Sequence, residues 1–240
     1  AQAAKLPGLR VAGIDMHIGS QITELSPFDN ATALMAELAR DLRAAGHTIE
    51  HLDLGGGLGI PYKNDNTPPP LPAEYAEIVK KHTKNLGAKL VFEVGRMIVG
   101  NAGILVSRVI YWKQGEGKNF LIVDAAMNDL IRPTLYEAYH EILPVQEPAQ
   151  TAQWVTADVV GPVCESGDYL ALDRRLPQMR EGDLVAVMTA GAYGAVQAST
   201  YNPRALIPEV LVREDEYALV RPRFDAAAII ALDRKAPWQR

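Results

Sequence analysis

Four short segments combine residue types able to do chemistry. Glu93-Val94-Gly95-Arg96 sets a carboxylate three residues before a guanidinium. A carboxylate at the mouth of a sheet can keep a ring nitrogen protonated, while an arginine clamps an oxyanion. An internal Glu–Arg ion pair fits the spacing equally well. His17-Ile18-Gly19-Ser20-Gln21 offers an imidazole able to stack on a flat ligand and a hydroxyl able to hydrogen-bond it. A buried, satisfied histidine is the plainer alternative. Asp53-Leu54-Gly55-Gly56-Gly57-Leu58-Gly59 lets successive backbone N–H groups converge on a phosphate. With Ile at position 60 it departs from G-x-G-x-x-G, and no Gly-Lys-Ser/Thr follows. A tight turn after a strand is the alternative. Gly161-Pro162-Val163-Cys164-Glu165-Ser166-Gly167-Asp168 places the only thiol beside two carboxylates. Such neighbours favour a protonated thiol, which suits a proton donor better than a nucleophile. An inert buried cysteine is the competing reading.

These segments need elements to hold them. The sequence predicts strands over 10–16, 49–54 and 89–94 and helices over 29–45 and 72–86, with a loop over 62–71. The first helix places Ala31, Leu34, Met35, Leu38, Leu42 and Ala45 on one face, with Asp29 as N-cap and Gly46 as its stop. Strands alternating with helices imply parallel βα units. After Gly100 the pattern becomes strand-rich, over 104–112, 119–124, 153–160, 184–189 and 208–213. Short helices are expected over 134–140 and 225–232. The expected domains are 1–100 and 101–240, the second antiparallel in character.

Composition narrows the classes. A chain of 240 residues, 48% apolar and 22% charged, is ordinary globular protein. Its net charge of -5 argues against a nucleic-acid partner. The longest apolar run, 226–232, is too short to span a bilayer, so no membrane partner is expected. Cys164, the lone cysteine, fits a reducing, cytoplasmic compartment. No metal site is expected. The N-terminal residues carry neither an initiator Met nor a signal-peptide pattern and read as the middle of a longer protein.

Taken together, the motifs are more specific than any one alone. His17-Ile18-Gly19-Ser20-Gln21, Gly55-Gly56-Gly57, Glu93-x-Gly95-Arg96, Asn128-Asp129-Leu130-Ile131-Arg132-Pro133-x-Leu135-Tyr136, Gly161-Pro162-x-Cys164-Glu165-Ser166 and Gly191-Ala192-Tyr193-Gly194 occur in that order. The chain resembles the diaminopimelate decarboxylases, of the pyridoxal-phosphate-dependent family with an alanine-racemase-like fold. Where that family commonly has proline in the Glu-x-Gly-Arg motif, this chain has Val94.

The resemblance implies an α/β fold: the last three βα units of a (β/α)8 TIM barrel, then a C-terminal antiparallel β domain. It implies decarboxylation of meso-2,6-diaminopimelate to L-lysine with pyridoxal 5'-phosphate, in a homodimer with shared active sites. His17 would stack on the ring and Glu93 would pair with its nitrogen. Ser20, Gly55, Gly56, Gly57, Gly95, Arg96 and Tyr193 would hold the phosphate. Arg96, Arg132 and Tyr136 would bind the retained carboxylate, with Tyr193 also at the substrate, and Glu165 would read the distal amine. Cys164 would reprotonate the carbanion, acting across the dimer interface with Glu165. The family's anchoring lysine lies in a Tyr-x-x-Lys-Ala-Asn-like context that none of the nine lysines here has. The chain is therefore expected to start near the sixth barrel strand and to be inactive alone. Other members of the fold stay open: a carboxynorspermidine, ornithine or arginine decarboxylase, a racemase, or a non-catalytic antizyme-inhibitor-like regulator.

Overall fold

The computed structural model describes residues 2–63 and 68–239. Residues 64–67 of the expected loop lie outside the described residues. Two compact units divide the chain at 101/102.

In the first unit, β1 (Gly13–Asp15), β2 (His51–Asp53) and β3 (Lys89–Val91) form a parallel sheet in that order. The helices α1 (Ser26–Ala44) and α2 (Pro72–Thr83) connect them. Phe28, Leu52, Leu54, Tyr75 and Val79 are buried together, and the Phe28 and Tyr75 rings meet edge to face at 4.9 Å. Burying a side chain such as Phe28 stabilises by about 1.5–3 kcal/mol.

Two expectations for α1 are corrected. The helix begins at Ser26, so Asp29 is in its first turn rather than at the N-cap. There the Asp29 carboxylate meets His82 Nε2 at 2.6 Å and Lys81 Nζ at 3.0 Å, which pins α1 to α2. These two partners, His82 first, hold the Asp29 carboxyl below its ordinary 3.8. The buried stripe is Phe28, Thr32, Met35, Ala36 and Ala39, and Leu34 and Leu38 are 67% and 48% exposed. Starting the helix three residues earlier brings Phe28 into it, and the stripe follows that anchor. Gly46 does end α1: its φ is +88°, and His47 N–H and Gly46 N–H close on the Leu42 and Arg43 carbonyls.

The second unit holds a six-stranded sheet. Its strands are β4 (Leu105–Gln114), β5 (Asn119–Val123), β6 (Ile142–Pro144), β7 (Trp154–Val160), β8 (Tyr169–Pro177) and β9 (Leu184–Val187), in the order β6-β9-β4-β5-β7-β8. The edge strands β6 and β8 approach one another, so the sheet curls into a nearly closed barrel. Val109, Leu121, Val123, Val159, Leu170, Val185 and Val187 fill it. The expected antiparallel character holds for every pairing in this sheet but one: β5 and β7 pair in parallel.

Three strands were not anticipated. β6 is only three residues long. In β8 the backbone bulges, with Asp173 at φ +51° and its N–H bound to Asp158 at 2.8 Å, so the alternation of faces breaks midway. The strand β10 (Glu209–Arg213) pairs with the third, β11 (Glu216–Arg221), in a separate hairpin. The short helices are α3 (Gly95–Val99), α4 (Arg132–Tyr136) and α5 (Ala226–Ile230). No helix among the described residues is long and apolar enough to cross a membrane.

Candidate functional site

The parallel strands of the first unit bring the loops after β1, β2 and β3 to one end of their sheet. Backbone hydrogen bonds stitch those loops together. Met16 N–H donates to the Asp53 carbonyl at 3.1 Å, Ile22 N–H to Gly57 at 2.8 Å, and Glu93 N–H to Gly55 at 2.7 Å. Gln21 clamps the first two loops further: its Nε2 donates to the Ile60 carbonyl at 2.7 Å, and its Oε1 accepts from Ile60 N–H at 3.2 Å.

This closeness explains the three glycines. A Cβ at Gly55 would lie 2.2 Å from the Met16 carbonyl oxygen, one at Gly56 2.3 Å from that of Glu93, and one at Gly57 2.3 Å from that of Gly19. The same Gly55 position is 3.3 Å from His17 Nδ1, so His17 stands against the glycine turn. By contrast, a Cβ at Gly95, the first residue of α3, would meet nothing within 4 Å.

Arg96 reaches across two strand ends. Its Nη2 donates to Ser20 Oγ at 2.9 Å, and its Nη1 donates to the Tyr62 hydroxyl. Since Ser20 Oγ accepts that bond, its own proton is available to an acceptor elsewhere. Glu93 is exposed, and its carboxylate lies within 4.8 Å of those of Asp15 and Asp53. Three carboxylates so close together repel, and a cation placed among them relieves the repulsion. Asp53 also accepts from Gly55 N–H at 2.9 Å, which fixes the start of the glycine turn.

The remaining predicted residues belong to the second unit, on three segments that touch. Thr134 in α4 donates its hydroxyl to the Gly167 carbonyl, joining the Arg132–Tyr136 helix to the cysteine loop. Gln197 Nε2 donates to the Tyr136 hydroxyl at 3.1 Å, joining α4 to the segment that follows Tyr193. Cys164 and Glu165 are exposed on their loop. Glu165 Oε2 accepts from the Tyr201 hydroxyl at 3.2 Å, and this bond to the carboxylate pushes the Tyr201 phenol above its usual 10.0. Tyr193 is half exposed with φ +59°, a left-handed conformation uncommon for an aromatic residue. Arg132 differs from these in being buried, with Nη1 donating to His140 Nε2 at 2.7 Å.

Asp168 builds the cysteine loop from inside. The residue is buried, and its two carboxylate oxygens accept from Met127 N–H at 2.7 Å and Val163 N–H at 2.6 Å. The motif reading grouped Asp168 with Glu165 as a neighbour of the thiol, but its side chain is committed to backbone. In the turn that precedes α4, Asp129 accepts from Ala126 N–H at 2.9 Å and meets Arg204 at 3.3 Å. Burial outweighs these contacts and raises the Asp129 carboxyl above 3.8. Residue type and motif membership gave no role to Tyr62, Gln21, His140 or Tyr201. Gln21 lay inside a quoted motif, whereas His140 and Tyr201 are recognised only by their partners.

One chain thus carries a parallel βα sheet whose strand ends present a cation, a hydroxyl and a carboxylate, and a curled sheet that bears a cysteine loop. The sequence matches the family described as "Pyridoxal-dependent decarboxylase, C-terminal sheet domain" over residues 17–191, and the chain belongs to that family. Diaminopimelate decarboxylase of Zymomonas mobilis is 48% identical over 235 residues, 98% of this chain and 55% of that protein. The enzyme of the same name from Neisseria meningitidis serogroup A is 51% identical over 221 residues, 92% of this chain and 53% of its own. The crystal structure of diaminopimelate decarboxylase from Helicobacter pylori complexed with L-lysine superposes with a TM-score of 0.88 at 36% identity, covering 96% of this chain and 56% of that one. The chain thus spans about half the length of the curated relatives it matches.

Proposed function

We propose that this chain forms the C-terminal part of a pyridoxal-phosphate-dependent diaminopimelate decarboxylase, which converts meso-diaminopimelate to L-lysine and carbon dioxide. On this reading residues 1–100 complete a (β/α)8 barrel and 101–240 form its β domain. The observation that carries it is the Arg96–Ser20 hydrogen bond across two strand ends that Gly55, Gly56 and Gly57 hold together.

The residues present fit the cofactor. A guanidinium, a hydroxyl with its proton to give, and open space in front of Gly95 suit a phosphate dianion. The carboxylates of Glu93, Asp15 and Asp53 suit a protonated ring nitrogen. Pyridoxal phosphate supplies, when bound, the electron sink for the pair left as carbon dioxide departs.

The chain's own residues divide the remaining work. Ser20, Gly55, Gly56, Gly57, Gly95 and Arg96 bind the phosphate, with Tyr193 assisting. His17 would lie against the ring, and Glu93 would hold the proton at its nitrogen. Arg96, Arg132, Tyr136 and Tyr193 bind the substrate end that is not cleaved, and Glu165 takes its amine. Cys164 gives its Sγ proton to the α-carbon. Cys164 and Glu165 serve the partner's site in a homodimer.

The test uses the full-length gene product loaded with pyridoxal phosphate. With meso-diaminopimelate it should release carbon dioxide and L-lysine in equal amounts, and it should leave ornithine and arginine untouched. Turnover of ornithine or arginine in preference to diaminopimelate would sink the assignment.

A further inference from the structure

We propose that His140 is the positioning residue for Arg132, and through it sets the preference for a substrate that carries a carboxylate at its uncleaved end. This rests on the reading of Arg132 given above. His140 is 0% exposed and Arg132 6%. The imidazole bridges two groups: Nε2 faces Arg132 Nη1 at 2.7 Å, and Nδ1 faces the Met188 carbonyl at 2.9 Å.

The chemistry of the partners fixes the proton. A guanidinium only donates and a carbonyl only accepts. Nε2 must therefore carry the lone pair and Nδ1 the hydrogen, so the ring is neutral and in a single tautomer. A protonated ring would set two cations against each other at that distance.

The bridge is anchored at both ends. His140 stands two residues before β6 and Met188 directly follows β9, which are paired neighbours with Ile142 opposite Val187. Met188 N–H also donates to the Glu141 carbonyl at 2.8 Å. His140 and its acceptor thus move with the sheet. Through His140, Arg132 at the first position of α4 is referred to the sheet rather than to its own short helix, only five residues long. An arginine has several rotatable bonds, and a fixed Nη1 removes most of that freedom before a carboxylate arrives, so less ordering is needed on binding.

The experiment compares L-lysine with cadaverine, the same chain without the carboxylate, by calorimetric titration of the full-length holoenzyme. Arg132→Ala should abolish the preference for L-lysine. His140→Asn keeps an amide near the Met188 carbonyl but is too short to reach Arg132, and should lower the preference about tenfold while leaving cadaverine unchanged. His140→Gln reaches Arg132 and should restore it. If Arg132→Ala keeps the preference, the role of Arg132 itself is wrong. If Arg132→Ala loses it and His140→Asn keeps it, or if His140→Asn weakens both ligands alike, the positioning role is wrong. A second measurement needs no variant to fold. Nitrogen NMR of the native holoenzyme should show His140 with Nδ1 protonated and Nε2 bare, and a protonated Nε2 would overturn the proposal.

Discussion

Gly56 and Glu93 are in backbone contact: the space of a Gly56 Cβ is filled by the Glu93 carbonyl oxygen 2.3 Å away. The glycine turn and the carboxylate that would face the cofactor ring are therefore one mechanical unit. Gly56→Ala must push β3's exit away, since the obstructing atom is backbone and cannot swing aside. In the full-length protein this variant should bind pyridoxal phosphate at least about tenfold more weakly, a loss of roughly 1.4 kcal/mol. Fluorescence titration of the apoenzyme would read this. Unchanged cofactor affinity would mean that the contact is slack.

Asp168 should matter to stability before it matters to chemistry. Asp168→Ala strands two backbone N–H groups that now bond its carboxylate, those of Met127 and Val163. Stranding buried donors of this kind costs about 2–5 kcal/mol in all. Urea unfolding monitored by tryptophan fluorescence should show the midpoint falling. An unshifted midpoint would show that the loop finds other acceptors.

Cys164 should act late in the reaction, at the return of the proton. Cys164→Ala in the full-length enzyme should slow turnover by about 10²–10⁴-fold, the usual worth of a general acid, with cofactor absorbance intact. Mixing that variant with Glu93→Ala should regain activity, because a mixed dimer contains one site free of both changes. Absence of recovery after subunit exchange has been verified by mass would argue against sharing of residues between subunits.

The Asp29 clasp gives a pH dependence with a definite sign. Its carboxyl is held below the ordinary 3.8 by His82 and Lys81. The contribution is therefore complete above that ordinary value and is lost as the pH falls through the lower, folded-state value. Asp29→Asn should lower stability at neutral pH, and the gap to the native protein should narrow once the pH is taken below the ordinary 3.8. Paired urea melts at the two pH values would show it. A gap of the same size in acid would assign the effect to packing rather than charge.

Much of the first unit was legible because its signals are local. Gly46 ends α1 where a positive φ is needed, and the strand-to-loop exits at Asp53 and Glu93 are marked by glycine. The phase of α1 was misread because Leu34 and Leu38 look like core residues by type, while the helix is anchored by Phe28. In the second unit β4, which alternates, and β9, which is buried as a run, both match expected strands, whereas β8 has none and bulges at Asp173. Motif membership placed Cys164 and Arg132 in context but could not tell that Arg132 is buried. Nor could it tell that Asp168 faces backbone, because that depends on which loop packs behind it.

The parallel pairing of β5 with β7 has an effect on what the second unit can carry. Two antiparallel neighbours close with a tight hairpin, whereas parallel neighbours force the chain to travel back the length of the sheet before the second strand begins. Between Val123 and Trp154 the chain makes that return journey, and α4, with Arg132, Tyr136 and then His140, lies on it. A single parallel pairing thus provides the length of chain that carries these residues. An all-antiparallel sheet in the same order would need β7 and β8 both reversed, and a tight turn could then follow β5 in place of the excursion that bears these residues.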